Sequence, residues 1–539
     1  MARAVSGASI EADKRDASMD ESTQAMNGAE SLVHTLLASG VDTCFANPGT
    51  SEMHFVAALD RVPGMRCVLG LFEGVVTGAA DGYARIAGKP AATLLHCGPG
   101  LANAMANLHN GRRANTMMVN CVGDQATYHR PLDAPLTADT EGFARGVSGW
   151  VRTATKAANV GADAAVAAQM AQVSPGQIAT LILPSDTCWD AGGVVGKRLP
   201  IPAAPTAAPH AVKVAARLLR DGRKTLLVLG NGALREGALA DAARICAATG
   251  ANMMAQGSNG RMERGRGRHP INRIPYPVDQ AVAALAEFEN VILIGAIKPV
   301  IFFAYPNKPG SPVPPGATLH AMTRPEHDQA QALAALAEEL GNPPAVAAPD
   351  HGPKPDAARG AINSEAFAQS LVALLPDHSI ICDEAVTFGR AFSGITHGAA
   401  PHDWLSVTGG AIGGGIPLAT GAGVAAPDRR VVNLQADGSA MYTIQGLWTQ
   451  AREKLDVTTV IFNNRKYQIL LGELANVGAN PGRTALDMLD LGNPDIDFVK
   501  MANSMGVEAA RADTMEQFND LFAQSMTRKG PFLIDLATG

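Results

Sequence analysis

At 539 residues the chain is too long for one compact core and calls for about three domains of roughly 150–200 residues each. Hydrophobic residues make up 47% and charged residues 17%, which excludes a disordered chain, and a net charge of −6 leaves no basic footprint for nucleic acid. The longest apolar runs, such as Val291–Ile297, are too short to span a bilayer, so no membrane partner is expected.

Residues 1–25 carry Glu11, Asp13, Asp16 and Asp20 without an apolar core, and read as a polar, flexible extension rather than a secretory signal. Cys44, Cys67, Cys97, Cys121, Cys188, Cys246 and Cys382 are scattered singly, with no CxxC pair, which points to a reducing cytoplasm rather than disulfides or zinc. Cys97 is read as a buried thiol, although its neighbour His96 gives it a second reading as a reactive one.

Short apolar strands alternate with helical patterns in three blocks, so the fold class is α/β, with parallel sheets flanked by helices. The first block, 26–195, has strands at Ala91–Leu95, Met117–Val122 and Ile178–Leu183 and helices near Gly28–Ala38 and Leu101–Arg112. A proline-rich linker, Pro200–Pro209, leads to a central block, 205–342, with strands Thr225–Leu229 and Val291–Ile294. After a second linker, Pro343–Pro355, the third block, 356–539, has strands near Ser379–Cys382, Arg430–Leu434, Thr458–Phe462 and Phe532–Ile534.

The strongest chemical signal is Ala436-Asp437-Gly438-Ser439 after one strand and Asn463-Asn464 after the next. Open α/β sheets place ligands at the C-terminal ends of strands. Asp437 and Asn464 offer the hard oxygens magnesium prefers, while Gly438 and Ser439 open a helical stretch suited to phosphate. Either turn alone would read as an ordinary loop. A second signal is Phe72-Glu73-Gly74 followed by Asp81-Gly82-Tyr83-Ala84-Arg85, because a carboxylate in so apolar a segment needs a task or a partner. A third is Thr408-Gly409-Gly410-Ala411-Ile412-Gly413-Gly414-Gly415, whose glycines let backbone approach a flat ligand.

Together these motifs resemble the thiamine diphosphate (ThDP) enzymes of the acetohydroxyacid synthase, pyruvate oxidase and benzoylformate decarboxylase family. The resemblance implies a pyrimidine-binding domain, a central domain and a diphosphate-binding domain, in that order. It implies that Asp437, Asn464 and the Lys466 carbonyl hold Mg²⁺ and that Glu73 hydrogen-bonds N1′ of the aminopyrimidine; the diphosphate then falls to the Gly438-Ser439 helix start and to Thr387, a single hydroxyl after the strand near Ser379–Cys382. Ile412 would wedge the cofactor into its bent form and the Gly410 carbonyl would accept the 4′-amino proton. It also implies a homo-oligomer, with a dimer as the smallest active unit and a tetramer usual.

Within that family, Asn47-Pro48-Gly49-Thr50-Ser51-Glu52 resembles the substrate loop of benzoylformate decarboxylase, with Thr50 as the hydroxyl for the substrate carboxylate. His96, at a strand's C-terminal edge, matches its catalytic histidine and is well placed as an acid/base. The second histidine of that enzyme should fall at Ile301–Ala304, which holds none, so His129 is a stand-in candidate. Ile469 and Leu470 suggest an apolar substrate pocket. The lone Gly230-Asn231-Gly232 turn lacks a dinucleotide fingerprint, and Arg261, Arg264, Arg266 and Arg268 read as a solvated loop, so no FAD is expected. The resulting expectation is decarboxylation of a benzoylformate-like 2-oxo acid to an aldehyde. An acetolactate synthase-type carboligase and a non-catalytic relative are the alternatives, the last disfavoured because Glu73, Asp437 and Asn464 are all retained.

Overall fold

The computed structural model describes residues 25–539, so the expected extension over 1–25 lies, save Ala25, outside the described residues. Three sheets form, and their central strands are apolar runs buried on both faces, as parallel strands covered by helices require, while the edge strands are partly exposed. The first comprises β1 (Thr43–Asn47), β2 (Arg66–Leu69), β3 (Ala91–Leu95), β4 (Met118–Asp124), β5 (Trp150–Thr153) and β6 (Ile178–Pro184), in the order β2-β1-β3-β4-β6-β5. The central sheet takes β7 (Thr225–Leu229) and β8 (Asn252–Ala255). After β9 (Met262–Arg264), which leaves for the third sheet, come β10 (Asn290–Ile294) and β11 (Thr318–Ala321), ordered β11-β10-β7-β8.

The third sheet comprises β12 (Ser379–Glu384), β13 (His402–Ser406), β14 (Val431–Ala436), β15 (Val457–Asn463), β16 (Glu508–Ala512) and β17 (Phe532–Ala537). Its order is β16-β17-β15-β14-β12-β13-β9, parallel throughout except for β9, which runs antiparallel to β13. The sequence expectation put all of 205–342 in the central block, but β9 belongs to the third sheet. Linkers 200–208 and 343–355 carry no helix or strand.

Two further corrections concern local structure. The helix expected at Leu101–Arg112 spans Cys97–Arg113, so Gly98-Pro99-Gly100 is its first turn. Proline is tolerated there because first-turn amides have no intrahelical acceptor. The basic run is not a solvated loop. Arg264 is 3% exposed, Arg261 pairs with Asp403 at 2.6 Å, and Arg268 donates to the His402 carbonyl at 2.9 Å. These guanidiniums fasten the β9 excursion to the third sheet.

The first and third sheets meet through the Glu73–Ala87 helix, every residue of which from Glu73 to Arg85 is buried, and the Gly415–Ala425 helix. Val76, Ala79, Ala80 and Tyr83 share one apolar cluster with Leu418, Ala419 and Ala422. Among the described residues no helix is long and apolar enough to cross a membrane.

His402 begins β13 at 1% exposure, its Nδ1 donating to the Ala400 carbonyl at 2.7 Å. Burial pushes it down to about 3, against the pull of that carbonyl and with help from Arg264 and Arg268. The folded state therefore refuses a proton that the unfolded chain accepts, and stability is lost as pH falls from the unfolded value near 6.5 towards about 3. Denaturant melts across that window should show His402→Gln less acid-sensitive than the parent, by up to a few kcal/mol at roughly 1.4 kcal/mol per pKa unit.

Candidate active site

At the third sheet, neighbouring strands β12, β14 and β15 end side by side, delivering Thr387, Asp437 and Asn464 to one edge. Asp437 is 3% exposed. Its Oδ1 accepts from the Gly438 amide at 2.7 Å, and its Oδ2 from the Asn464 and Arg465 amides at 3.0 and 2.7 Å. Burial pushes its carboxyl up while these three amides pull it down. Asn464 Oδ1 accepts from the Lys466 amide at 3.0 Å, and the Lys466 carbonyl from the Gln468 amide at 2.9 Å, so the turn after β15 is folded around its oxygens. Thr387 Oγ1 is buried with no protein partner. Ser439 is buried beside Gly438, whose Cα faces the Tyr467 ring.

The glycine-rich segment runs between β13 and the Gly415–Ala425 helix. Gly410 has φ +78°, a conformation that favours glycine, and Phe302 lies against it. Ile412 is half-buried. Glu384, at the end of β12, anchors the segment from within, accepting from the Gly413 and Gly415 amides at 2.8 Å each and from Gln435 Nε2 at 2.8 Å. Burial raises its carboxyl, and these donors oppose the rise.

At the first sheet, β2, β1 and β3 are neighbours, so Glu73, the Asn47–Glu52 turn and His96 gather at one edge. Glu73 starts its helix at 8% exposure, and its Oε2 accepts from Asn103 Nδ2 at 3.0 Å. A Cβ at Gly100 would stand 2.8 Å from Glu73 Oε1, so the first turn of the Cys97–Arg113 helix passes close against that carboxylate. His96 Nδ1 lies 2.8 Å from Glu52 Oε2, which also accepts from the Gly49 amide at 2.8 Å. A carboxylate can only accept, so Nδ1 carries the proton and Nε2 is the nitrogen left for a ligand.

The hydroxyl facing His96 is that of Ser51, at 3.5 Å from Nδ1 and 2.8 Å from Cys97 Sγ, whereas Thr50 points outward and is exposed. The 3₁₀ turn over Thr50–Glu52 sets this phase. Cys97 is 1% exposed, and burial pushes its thiol up to about 11, which suits a packed rather than a reactive group.

His129 sits on the loop after β4, at the same edge as His96, but no hydrogen bond joins the two among the described residues. Ile469 and Leu470 lie on the Gln468–Asn476 helix, which buries none of its residues, and Leu470 is 42% exposed. In the Ile301–Ala304 stretch, Phe302 packs at a tilt on Tyr276 and edge-to-face with Phe303, at 5.4 and 4.8 Å between centroids. Glu52, Ser51, Asn103 and Glu384 are the residues the sequence did not single out. Ser51 and Glu52 stand in the Asn47–Glu52 loop motif, where Thr50 alone is given a role.

The donor set fits a magnesium–diphosphate cofactor: hard oxygens and an unpartnered buried hydroxyl at one edge, and a glycine-rich backbone strip beside them. The comparisons point to thiamine diphosphate. Residues 26–144 match the family described as thiamine pyrophosphate enzyme, N-terminal TPP binding domain, and residues 389–536 match the corresponding C-terminal TPP binding domain. The chain is 53% identical over 514 residues, 95% of its length and 99% of the relative's, to a Mycobacterium tuberculosis protein provisionally named acetolactate synthase large subunit IlvX. It is 28% identical over 537 residues, 93% of its length and 96% of the relative's, to benzoylformate decarboxylase of Pseudomonas aeruginosa. The solved thiamine diphosphate-dependent 4-hydroxybenzoylformate decarboxylase of Rhodococcus jostii superposes with a TM-score of 0.80 at 26% identity, over 95% of this chain and 99% of that one. The fold and site thus define a ThDP-binding enzyme. The chain belongs to the thiamine pyrophosphate enzyme family that includes acetolactate synthases and benzoylformate decarboxylases.

Two substitutions separate holding the cofactor from activating it. Asp437→Ala should abolish calorimetric binding of ThDP with Mg²⁺. Glu73→Gln should still bind the cofactor but lose roughly two decades of turnover, as removal of an acid/base group does. Unchanged affinity in the first, or near-normal turnover in the second, would remove that residue from its role.

Proposed function

We propose that the protein is a ThDP- and Mg²⁺-dependent decarboxylase of a 2-oxo acid with an apolar, benzoylformate-like side chain, releasing an aldehyde and able to form 2-hydroxy ketones. The observation that carries this reading is the Glu52–His96 pair at the edge that also presents Glu73. When bound, ThDP supplies the electron sink that lets carbon dioxide leave a 2-oxo acid.

The remaining steps fall to the chain's own groups. Asp437, Asn464 and the Lys466 carbonyl hold the metal, and Gly438, Ser439 and Thr387 take the diphosphate. Ile412 and the Gly410 carbonyl seat the pyrimidine ring, and Glu73 exchanges a proton with it. Glu52 fixes the ring and tautomer of His96, whose Nε2 faces the ligand and passes a proton to the product carbon. Ser51 Oγ, beside His96 Nδ1 and Cys97 Sγ, helps seat the imidazole, and Thr50, the exposed hydroxyl of the same turn, is the one proposed to meet the substrate carboxylate. The Phe302–Phe303–Tyr276 cluster, with Ile469 and Leu470, favours an alkyl or aryl side chain. His129 is a reserve acid at the same edge.

The second reading, an acetolactate synthase-type carboligase, is favoured by the name and 53% identity of the mycobacterial relative. It shares the whole cofactor grip. A homodimer or tetramer is the assembly proposed, and the cytoplasm the location, in keeping with seven free cysteines.

The central domain is proposed not to take FAD. The Gly232 amide of its glycine turn donates to Gln329 Oε1 at 3.2 Å, and the Gln329 stem packs on Gly295, so that amide is already taken and is not free for a phosphate. Purified protein should be colourless, and a flavin absorption band that survives dialysis would refute this.

Mass spectrometry after feeding benzoylformate, pyruvate and branched 2-oxo acids identifies the product class. His96→Ala then tests the mechanism in a single turnover. Carbon dioxide release should stay near the parent rate while aldehyde release slows by roughly two decades. The ratio of 2-hydroxy ketone to aldehyde should rise when a second aldehyde is added. An unchanged aldehyde rate and product ratio would make His96 structural and leave the carboligase as the better reading.

A further inference from the structure

Asparagines 103, 107 and 110 share one stripe of the Cys97–Arg113 helix, and each makes a contact that matters to the cofactor grip. Asn103 donates to the Glu73 carboxylate at 3.0 Å. Asn107, 4% exposed, donates through one Nδ2 to the Gly74 carbonyl at 2.8 Å and the Gly413 carbonyl at 3.4 Å, bridging the residue beside Glu73 and the glycine-rich segment. Asn110, 2% exposed, pairs with Ala411 as a neighbouring strand would. Its Nδ2 donates to the Ala411 carbonyl at 2.8 Å, and its Oδ1 accepts from the Ala411 and Gly409 amides at 3.2 Å each. Asn110 Nδ2 also donates to Asn107 Oδ1 at 3.0 Å, which closes the chain.

A glycine-rich strip has few side chains to fix it and many backbone conformations to lose. Here its amides at 413 and 415 are drawn inward by Glu384, while those at 409 and 411 are drawn by Asn110. The strip is thus held from both sides. Asparagine suits the outer hold because one carboxamide satisfies a peptide N–H and a peptide C=O together.

We propose that Asn107 and Asn110 are positioning residues that preset the Gly409–Gly413 strip against the start of the Glu73 helix, so that cofactor binding finds the strip already ordered. The proposal rests on the ThDP reading but not on which reaction follows.

The test uses the full chain and two readouts. Amide hydrogen exchange of peptides covering 408–415, without cofactor, should speed up about tenfold or more in Asn110→Ala, since a buried partner left unmade loosens the backbone it held. ThDP affinity in saturating Mg²⁺ should weaken by a similar factor. Asn107→Ala should have a smaller effect, and the double variant should fall short of the product of the two because they act as a unit. Asn110→Asp keeps the acceptor for Gly409 and Ala411, and should restore part of the protection of those amides. Asn290→Ala, at another buried asparagine remote from the strip, serves as control: it should lower the melting temperature without changing exchange at 408–415. Unchanged exchange in Asn110→Ala, or an equal change in Asn290→Ala, overturns the proposal. If the parent itself binds no ThDP, the cofactor reading fails, and the exchange result still decides whether Asn110 orders the strip.

Discussion

The rest of the structure depends on how closely two helices from opposite ends of the chain approach. A side chain at Gly82 would overlap the Leu418 carbonyl, one at Gly421 would overlap the Ala79 carbonyl, and one at Gly78 would stand 2.6 Å from Pro417 Cβ. Backbone therefore packs on backbone between the Glu73–Ala87 and Gly415–Ala425 helices. Interiors at crystal-like density resist small displacements, so this contact has little freedom to slide. Glu73 opens one of these helices, and the glycine-rich segment runs into the other. A contact made without side chains thus fixes where the first sheet's carboxylate and the third sheet's glycine strip stand.

Buried charge reinforces the same junction. Asp81 and Arg85, both nearly sealed, pair within the Glu73–Ala87 helix, with Arg85 Nε 2.7 Å from Asp81 Oδ1. The guanidinium reaches on to the Ser406 carbonyl at 2.7 Å and the Gly260 carbonyl at 3.2 Å, so one side chain touches segments attached to all three sheets. Removing one partner would strand the other charge in a dry interior, which is costlier than never having had the pair. Glu384 and Asp437 solve the same problem differently, each held by several backbone amides and no guanidinium. Amide-held carboxylates are rigid, because the donors belong to turns that cannot rotate away.

Much of this was legible in the sequence, for reasons that differ by residue. Asp437 and Asn464 could be paired because both follow apolar strands, and consecutive parallel strands commonly lie side by side, as β14 and β15 do. Glu73 stood out as a charge in a stretch with no other reason to hold one. The Gly28–Ala38 helix and β7 fell at their expected bounds because capping and apolar runs mark them locally. What stayed hidden is tertiary. Three residues of β9 carry no periodicity, and their antiparallel pairing is decided by a strand some 140 residues away in sequence. Arg264 looks like any basic loop residue until β13 and Ser393 close over it. Thr50 and Ser51 are both hydroxyls in a turn, and only its 3₁₀ phase decides which faces inward. Glu52 does cap that turn through the Gly49 amide, and its ordinary local role concealed its contact with His96.

The division between the two proposed chemistries does not lie in the cofactor grip, which both require in full. It lies in which reaches the product carbon first, a proton or a second carbonyl compound. On the proposed reading the proton comes from a single oriented imidazole, since the central loop that lies on Gly410 presents Phe302 and Phe303 in place of a second histidine. An apolar wall gives a second organic partner a surface to pack on while offering it no competing proton. The same arrangement can therefore serve either outcome. A relative's name cannot choose between them: the chain is similar along nearly its whole length both to a protein provisionally named acetolactate synthase and to benzoylformate decarboxylases. The choice belongs to the few groups at the Glu52–His96 edge, where Glu52 holds the Nδ1 side of the imidazole and leaves Nε2 for a ligand.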